Sequence, residues 1–138
     1  MSVEHSAAHR GALIMGVDDD ATNLRLLHEV VDSMGHTFLG AHGGAECLRL
    51  LHRAAPKVIL LDIMMPEMDG FETCRRIRAD FPMLKVPIIF VTALNSPEDV
   101  ARGMGANGND FIIKPFEPER LRQRLSYWLR TGLPLGLD

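Results

Sequence analysis

The segment Val58-Ile59-Leu60-Leu61-Asp62 places a carboxylate directly after a continuous apolar run. Three other segments repeat this arrangement, in which apolar runs end in Asp18-Asp19-Asp20, in Thr92 and in Lys114. Short apolar runs of this kind are typical of strands buried on both faces of a parallel sheet. Because the carboxyl ends of parallel strands meet at one edge, we expect these polar side chains to gather in a single crevice.

The composition indicates one ordinary globular domain. The chain has 138 residues, 46% of them hydrophobic and 24% charged, and a net charge of −3. This length allows a full core, and the negative charge gives no general attraction to nucleic acid. No apolar stretch reaches the length of a membrane-spanning helix, and residues 1–10 lack the apolar core of a signal peptide. We therefore expect a cytoplasmic protein that binds neither membranes nor nucleic acid directly.

Helical patterns alternate with the strand patterns along the chain. Five strands and five helices in this order predict an α/β, doubly wound domain with helices on both faces of a parallel sheet. We expect a flexible N-terminal tail at residues 1–10, the folded domain at residues 11–130, and a tail or linker at residues 131–138.

Local signals predict where the first two helices begin and end. Thr22 or Asn23 is expected to cap the first helix, and the second helix is expected to cover residues 45–53. Cys47 and Cys74 lie in helical patterns and do not form a CxxC pair, so both are interpreted as reduced packing residues.

The strand-end residues suit the transfer of a phosphoryl group to a carboxylate. Three consecutive carboxylates repel one another unless a cation lies among them, and an all-oxygen donor set favours Mg²⁺. Asp62 follows the most apolar strand, where a metal-bound carboxylate could act as a nucleophile and form an acyl phosphate. The metal and Lys114 would neutralise the charge of the transferred group, and the Thr92 hydroxyl would bond to one of its oxygens.

Four segments make the chain resemble the receiver domains of two-component response regulators. They are Val17-Asp18-Asp19, the run from Asp62 to Asp69-Gly70 through Met64-Met65-Pro66, Val91-Thr92-Ala93, and Lys114-Pro115-Phe116. The separations between the segments also match that family, and the similarity covers about residues 11–130. The resemblance implies a flavodoxin-like receiver fold similar to the chemotaxis regulators, with five parallel strands in the order 2-1-3-4-5 and five helices.

The resemblance also implies a role for each acidic residue. Asp62 would be the phosphoacceptor, taking the phosphoryl group from the phosphohistidine of a sensor histidine kinase or a histidine phosphotransfer protein. Asp18, Asp19 and Asp62 would bind Mg²⁺ or Mn²⁺ together with the backbone carbonyl of Met64. Asp20 would be a bystander.

The other strand-end residues would respond to the phosphoryl group. Thr92 would bond to the phosphoryl group and move towards it, and Lys114 would pair with it. The peptide bond between Lys114 and Pro115 would be cis. Phe111 occupies the position of the family's switch aromatic residue, whose ring turns inward when the threonine moves. A static core ring at Phe111 remains the alternative.

The resemblance implies a signalling module and not an enzyme acting on a separate substrate. The switched surface would be formed by predicted helix 4, which begins at residues 96–98, strand 5 at residues 111–113, and helix 5, which begins near residues 117–118. This surface would contact a downstream protein, an output domain missing from this chain, or a second copy in a homodimer. The chain could be a free-standing receiver or a segment of a longer regulator or hybrid kinase.

Two other functions fit parts of the pattern. A Mg²⁺-dependent aspartyl-phosphate phosphatase or phosphotransferase also uses a strand-end aspartate, but it needs a second acid where Met64 stands. A receiver-like interaction module that is never phosphorylated would not need the full set of site residues, all of which are present here.

Three glycines surround the predicted end of helix 4, at positions 103, 105 and 108. Because glycine lowers helix stability by up to about 1 kcal/mol per residue, one hypothesis is that this end of the helix is unusually mobile. The alternative is a loop variation that the fold tolerates. Asn107 is expected to adopt the left-handed conformation that ends the helix.

Overall fold

Strands and helices alternate as predicted through residues 11–132, the part of the chain that the computed structural model describes. The strands are β1 (Leu13–Val17), β2 (Thr37–Ala41), β3 (Val58–Leu61), β4 (Ile88–Thr92) and β5 (Asp110–Ile113). The helices are α1 (Ala21–Ser33), α2 (Gly44–Leu50), α3 (Gly70–Asp80), α4 (Pro97–Gly105) and α5 (Pro118–Thr131). The tail predicted at residues 1–10 lies outside the described residues, as do residues 133–138 of the predicted C-terminal tail.

The five strands form one parallel sheet in the order β2-β1-β3-β4-β5, which confirms the predicted architecture. The register brings the carboxyl ends of the strands level with one another. Val17 lies beside Leu61, and Thr92 lies beside Ile113. The residue that follows each of these strands therefore leaves the sheet at the same edge.

Two hydrophobic clusters fill the spaces on either side of the sheet. One cluster joins the sheet to α2, α3 and the end of α4, and the other joins it to α1 and α5. Alternate residues of each central strand face opposite clusters, which explains why β3 is apolar throughout. Cys47 and Cys74 are buried in the first cluster as free thiols, so their interpretation as reduced packing residues is confirmed.

The cap of α1 was predicted wrongly. Asp20 is the N-cap, and its carboxylate accepts bonds from the backbone N–H groups of Thr22 at 2.8 Å and Asn23 at 3.4 Å. The helix therefore starts earlier than the sequence suggested, because an aspartate that directly precedes a helix satisfies the free N–H groups of its first turn.

The predicted bounds of α2 were also too late and too long. The helix begins at Gly44 and ends at Leu50. Beyond it the backbone tightens, and the Arg53 N–H bonds to the Leu50 carbonyl three residues back at 2.9 Å. Such three-residue bonds end an α-helix without any change in the apolar pattern of the sequence.

Packing explains two of the three glycines around the end of α4. A Cβ atom on Gly103 would lie 2.8 Å from the Phe90 ring and 2.7 Å from the Phe111 ring, and one on Gly108 would overlap the Phe90 ring. Asn107 has the predicted positive φ, at 71°. The glycines at 103 and 108 therefore bring α4 and its following turn close to the sheet, and the mobility of this end stays a prediction.

Candidate functional site

Three carboxylates converge at the carboxyl edge of the sheet. Asp18, Asp19 and Asp62 each place one oxygen atom within 4.8 Å of the other two. Asp18 and Asp62 are only 2% and 7% exposed, whereas Asp19 is exposed. The expectation that the strand-end acids of β1 and β3 would meet is therefore met in the described structure.

Backbone bonds position the two buried carboxylates. The Asp62 N–H donates to the Val17 carbonyl at 2.9 Å, which continues the pairing of β1 and β3 by one step. The Asp18 carboxylate accepts the Asp20 N–H at 2.9 Å through Oδ1, which leaves Oδ2 directed elsewhere. One Asp62 oxygen likewise accepts the Ile63 N–H at 2.8 Å.

Lys114 supplies the positive charge of the site. Its Nζ atom lies 2.9 Å from Oδ2 of Asp18 and 3.6 Å from Oδ2 of Asp62. The Lys114–Pro115 peptide bond is cis, as predicted. The lysine side chain is 21% exposed and comes from the end of β5, so one cation bridges carboxylates that follow two other strands.

The pKa of the Asp62 carboxyl is raised above its ordinary value. Burial is the main cause, and the negative charge of Asp18 adds to it. Lys114, a hydrogen bond from Thr92 and the Ile63 N–H all act in the opposite direction. An added cation beside Asp62 would favour its charged form further, because opposite charges stabilise the ionised carboxylate.

Thr92 and Phe111 connect the site to the interior. Thr92 is fully buried, its hydroxyl bonds to Asp62, and its Oγ1 accepts the Leu94 N–H at 3.4 Å. Phe111 is half-buried, with its ring centroid 5.2 Å from that of Phe90. The Phe111 ring also lies against Gly103 of α4. This side chain of β5 is therefore placed between Phe90 of β4 and a surface helix.

The loop after Asp62 is held close to the sheet. Gly70 donates its N–H to the Ile63 carbonyl at 2.8 Å, and a Cβ atom at Gly70 would overlap the Asp62 carbonyl. Glycine is therefore required where the start of α3 returns to the end of β3. Met64 in this loop is, by contrast, 59% exposed.

The donor set fits a hard divalent cation. The three acidic residues offer only oxygen atoms, which are the ligands that Mg²⁺ and Mn²⁺ prefer. Two of these carboxylates are buried side by side with one lysine between them, so the cluster retains negative charge for a cation to neutralise.

Sequence reasoning missed the function of Asp20. Its side chain caps α1, and its backbone N–H orients the Asp18 carboxylate. The signal was present in the sequence, because an aspartate next to a predicted helix start is a strong N-cap candidate. The acidic run therefore contains two pocket residues and one helix cap.

Comparison with known proteins assigns the chain to a family. Residues 14–126 match the family model of the response regulator receiver domain, and the chain belongs to that family. It is 38% identical over 117 residues to the probable transcriptional regulator ycf27 of Guillardia theta, with 85% of this chain and 45% of that protein aligned. It is 35% identical over 122 residues to the response regulator PleD of Caulobacter vibrioides, with 88% and 27% aligned.

Solved receiver domains have the same fold. The receiver domain of the sensor histidine kinase PA1611 from Pseudomonas aeruginosa, solved with a magnesium ion coordinated in its active-site cleft, gives a TM-score of 0.80 at 30% identity. The alignment covers 87% of this chain and 98% of that receiver. The chain thus spans almost a whole receiver domain but less than half the length of those two curated regulators. Within residues 11–132, no helix combines the length and apolar character needed to cross a membrane.

Proposed function

We propose that this receiver domain accepts a phosphoryl group on Asp62 from the phosphohistidine of a sensor histidine kinase or a histidine phosphotransfer protein. The observation that carries the proposal is the position of the Asp62 carboxylate. It is nearly buried, and Lys114, Thr92 and Asp18 all contact it or lie beside it. A nucleophile with a cation and a hydroxyl next to it is suited to phosphoryl transfer.

Each step of the transfer can be assigned to a group of this chain. An oxygen of Asp62 forms the bond to phosphorus while the bond from phosphorus to the donor imidazole nitrogen breaks, and the electron pair stays on that nitrogen. Lys114 and the Thr92 hydroxyl stabilise the negative charge on the phosphoryl oxygens, and water later hydrolyses the acyl phosphate. The protein thus catalyses only its own phosphorylation and dephosphorylation.

Asp18, Asp19, Asp62 and the backbone carbonyl of Met64 would hold Mg²⁺ or Mn²⁺. The cation supplies charge neutralisation for the incoming phosphoryl group. The all-oxygen acidic cluster supports this assignment, and the fixed loop after Asp62 supports a role for a carbonyl in that loop.

Phosphorylation would be transmitted through Thr92 and Phe111 to the surface formed by α4, β5 and α5. The Phe111 ring already lies between Phe90 and Gly103, so an inward turn of this ring would change the support of α4. Ile113 and Tyr127 are exposed on the same surface. This surface would contact a downstream protein, an output domain or a second copy of the chain.

The functional unit would be the domain at residues 11–130, with tails on either side, acting in the cytoplasm. Helix α5 bears the arginines Arg120, Arg122, Arg124 and Arg130. Arg124 already pairs with Asp110 of the same chain at 2.7 Å. A homodimer that used this surface would therefore have to share or replace that ion pair.

The direct test is acid-labile labelling of the protein by acetyl phosphate in the presence of Mg²⁺. We expect Asp62→Asn to abolish the label, because an amide cannot form the acyl phosphate. Asp20→Asn is the matched control, since asparagine caps a helix as well as aspartate does, and it should be labelled fully. Persistent labelling of the Asp62 variant would refute the proposal, and an unlabelled wild type would favour a receiver-like module that is not phosphorylated.

A further inference from the structure

A second groove lies at the opposite end of the sheet from Asp62. It has a volume of about 600 Å³ and runs between α3, the connection that follows it and the turn between α4 and β5. Its nine lining residues include two cations and no acid. They are Arg78, Phe81, Pro82, Leu84, Lys85, Met104, Asn107, Gly108 and Asn109. In a chain with a net charge of −3, this groove is locally positive.

Arg78 is the central cation of the groove, and its bonds all go to neutral oxygens. Its Nη1 donates to the Val86 carbonyl at 2.7 Å, its Nη2 to Oδ1 of Asn109 at 2.8 Å, and its Nε to the Asn107 carbonyl at 3.1 Å. A guanidinium has five N–H groups, so one on Nη1 and one on Nη2 remain for another acceptor.

The neighbouring arginines of α3 show how unusual this is. Arg75 and Arg76 are exposed, and each bonds to the carboxylate of Glu72 at 2.8 Å. Arg78 is more buried, and within residues 11–132 it forms no ion pair with a carboxylate. Burial lowers the pKa of the Arg78 guanidinium, and the thiol of Cys74 offsets only part of this effect. Arg78 would therefore gain more from a bound anion than Arg75 or Arg76 would, and the described residues give it no carboxylate partner.

The rest of the groove indicates what kind of anion would bind. Phe81, Pro82, Leu84 and Met104 provide apolar walls, and Met104 is 39% exposed. Inorganic phosphate would gain nothing from these walls, whereas a carboxylate on an apolar group could use both them and the guanidinium. We propose that the groove between α3 and the α4–β5 turn is a binding site for a carboxylate carried on an apolar body, recognised by Arg78 and Lys85.

The position of the groove gives such a ligand a structural effect. Two of the oxygens bound by Arg78 belong to Asn107 and Asn109, in the turn that leads into β5. Asn109 Oδ1 also accepts the Ile88 N–H at 2.8 Å, at the start of β4. An anion held by Arg78 would therefore tie α3 more firmly to the turn between α4 and β5.

Titration with benzoate, followed by amide NMR at constant ionic strength, tests the site. Benzyl alcohol serves as the neutral ligand of similar shape. We expect benzoate to give saturable shifts at residues 107–109 that benzyl alcohol does not give. Lys85→Gln should weaken benzoate binding by about threefold, as expected for loss of a partly exposed charge. Arg78→Gln should weaken it by about tenfold or more.

Arg75→Gln is the matched control, because Arg75 lies on the same helix outside the groove, and it should leave benzoate binding unchanged. The Lys85 variant keeps the test valid if the Arg78 variant fails to fold. Equal shifts with benzoate and benzyl alcohol would overturn the proposal, as would an equal loss of binding in the Arg75 and Lys85 variants.

A second titration distinguishes a free organic acid from a carboxylate on a protein segment. It compares the peptide acetyl-Leu-Asp-Leu-amide with the same peptide carrying Asn in place of Asp. Tighter binding of the acidic peptide than of benzoate would support a protein segment as the ligand, and weaker binding would support a small organic acid. Failure of both benzoate and the acidic peptide to bind would reject the site.

Discussion

Two partly buried cations stand at opposite ends of the same sheet, and their surroundings differ. Lys114 lies among carboxylates, 2.9 Å from Asp18 and 3.6 Å from Asp62. Arg78 lies among neutral oxygens, from two backbone carbonyls and one side-chain amide. Both cations connect elements distant in sequence, but only Lys114 does so where acidic charge is concentrated.

This difference indicates that the Lys114 end of the sheet serves reactivity and that the Arg78 end serves the stability of the fold. At the Lys114 end, buried carboxylates raise the free energy of the folded protein, as the raised pKa of Asp62 indicates, and their arrangement suits the binding of a cation and a phosphoryl group. At the Arg78 end, three hydrogen bonds join one cation to uncharged acceptors, which holds a turn without concentrating like charges. Substitutions at the two ends should therefore change different properties.

The largest effect is expected at Lys114. Lys114→Ala should slow phosphorylation by acetyl phosphate by about 100- to 1000-fold, as for removal of one stabilising donor from other active sites. The initial rate of acid-labile labelling measures this. Lys57→Ala removes an exposed lysine at the far end of the sheet and should label at the wild-type rate. A Lys114→Ala rate within about threefold of wild type would show that the cation does not act on the phosphoryl group.

Arg78 should matter for folding. Arg78→Ala removes three hydrogen bonds and should lower the free energy of unfolding by about 3 kcal/mol. Urea denaturation monitored by the fluorescence of the single tryptophan, Trp128, measures the change. Arg75→Ala, which removes only an exposed pair with Glu72, should cost less than about 1 kcal/mol. Equal losses in the two variants would remove the distinction between the exposed and the buried arginine.

The response to Mg²⁺ should distinguish the acidic residue that binds metal from the one that caps a helix. Mg²⁺ should raise the melting temperature of the wild type, because a ligand that binds only the folded state stabilises it. Asp19→Asn should weaken Mg²⁺ binding by about tenfold or more, equivalent to about 1.4 kcal/mol. Asp20→Asn should respond to Mg²⁺ as the wild type does. A weaker response to Mg²⁺ in the Asp20 variant than in the Asp19 variant would contradict the assignment of Asp19 as a metal ligand and Asp20 as a helix cap.

The smallest effect is expected in the apolar layer between the two ends. Burial raises the pKa of Cys47 to about 12 and that of Cys74 to about 11. Both thiols should therefore resist iodoacetamide at pH 8 in the native protein and react in urea, as mass spectrometry would show. Rapid labelling of either thiol without urea would mean that this layer opens readily.

These raised pKa values also predict a pH dependence of stability. The thiols ionise near pH 9 in the unfolded protein and only at higher pH in the folded one. Their contribution to the free energy of unfolding is therefore complete below about pH 9, and it is lost as the pH rises towards 12. The loss should stay below about 1 kcal/mol per thiol up to pH 9. Urea denaturation at several pH values measures it, and stability that increased over this range would contradict the assignment.

The architecture and the meeting of the site residues could be predicted from the sequence because both follow from strands. An apolar run marks a buried strand, and a parallel sheet brings the ends of such strands to one edge. Asp62 and Lys114 could therefore be placed in one crevice without any knowledge of their contacts. The order of the strands required the resemblance to a family.

Features that depend on close contacts could not be predicted in the same way. Gly103 suggested a soft helix, but the structure shows the Phe90 ring in the space that its side chain would fill. Asp20 was expected to be a bystander, although its carboxylate accepts bonds from N–H groups in the first turn of α1. The three bonds of Arg78 join residues up to 31 positions apart, and the sequence pattern gives no sign of them.

The central claim is that Asp62 carries the phosphoryl group, and reduction of the phosphorylated protein with borohydride tests it most directly. Borohydride converts an aspartyl phosphate to homoserine, which peptide mass spectrometry can locate after treatment with acetyl phosphate and Mg²⁺. We predict homoserine at position 62 alone. Homoserine at position 18, 19 or 20, or its absence from a protein that has been labelled, would contradict the account.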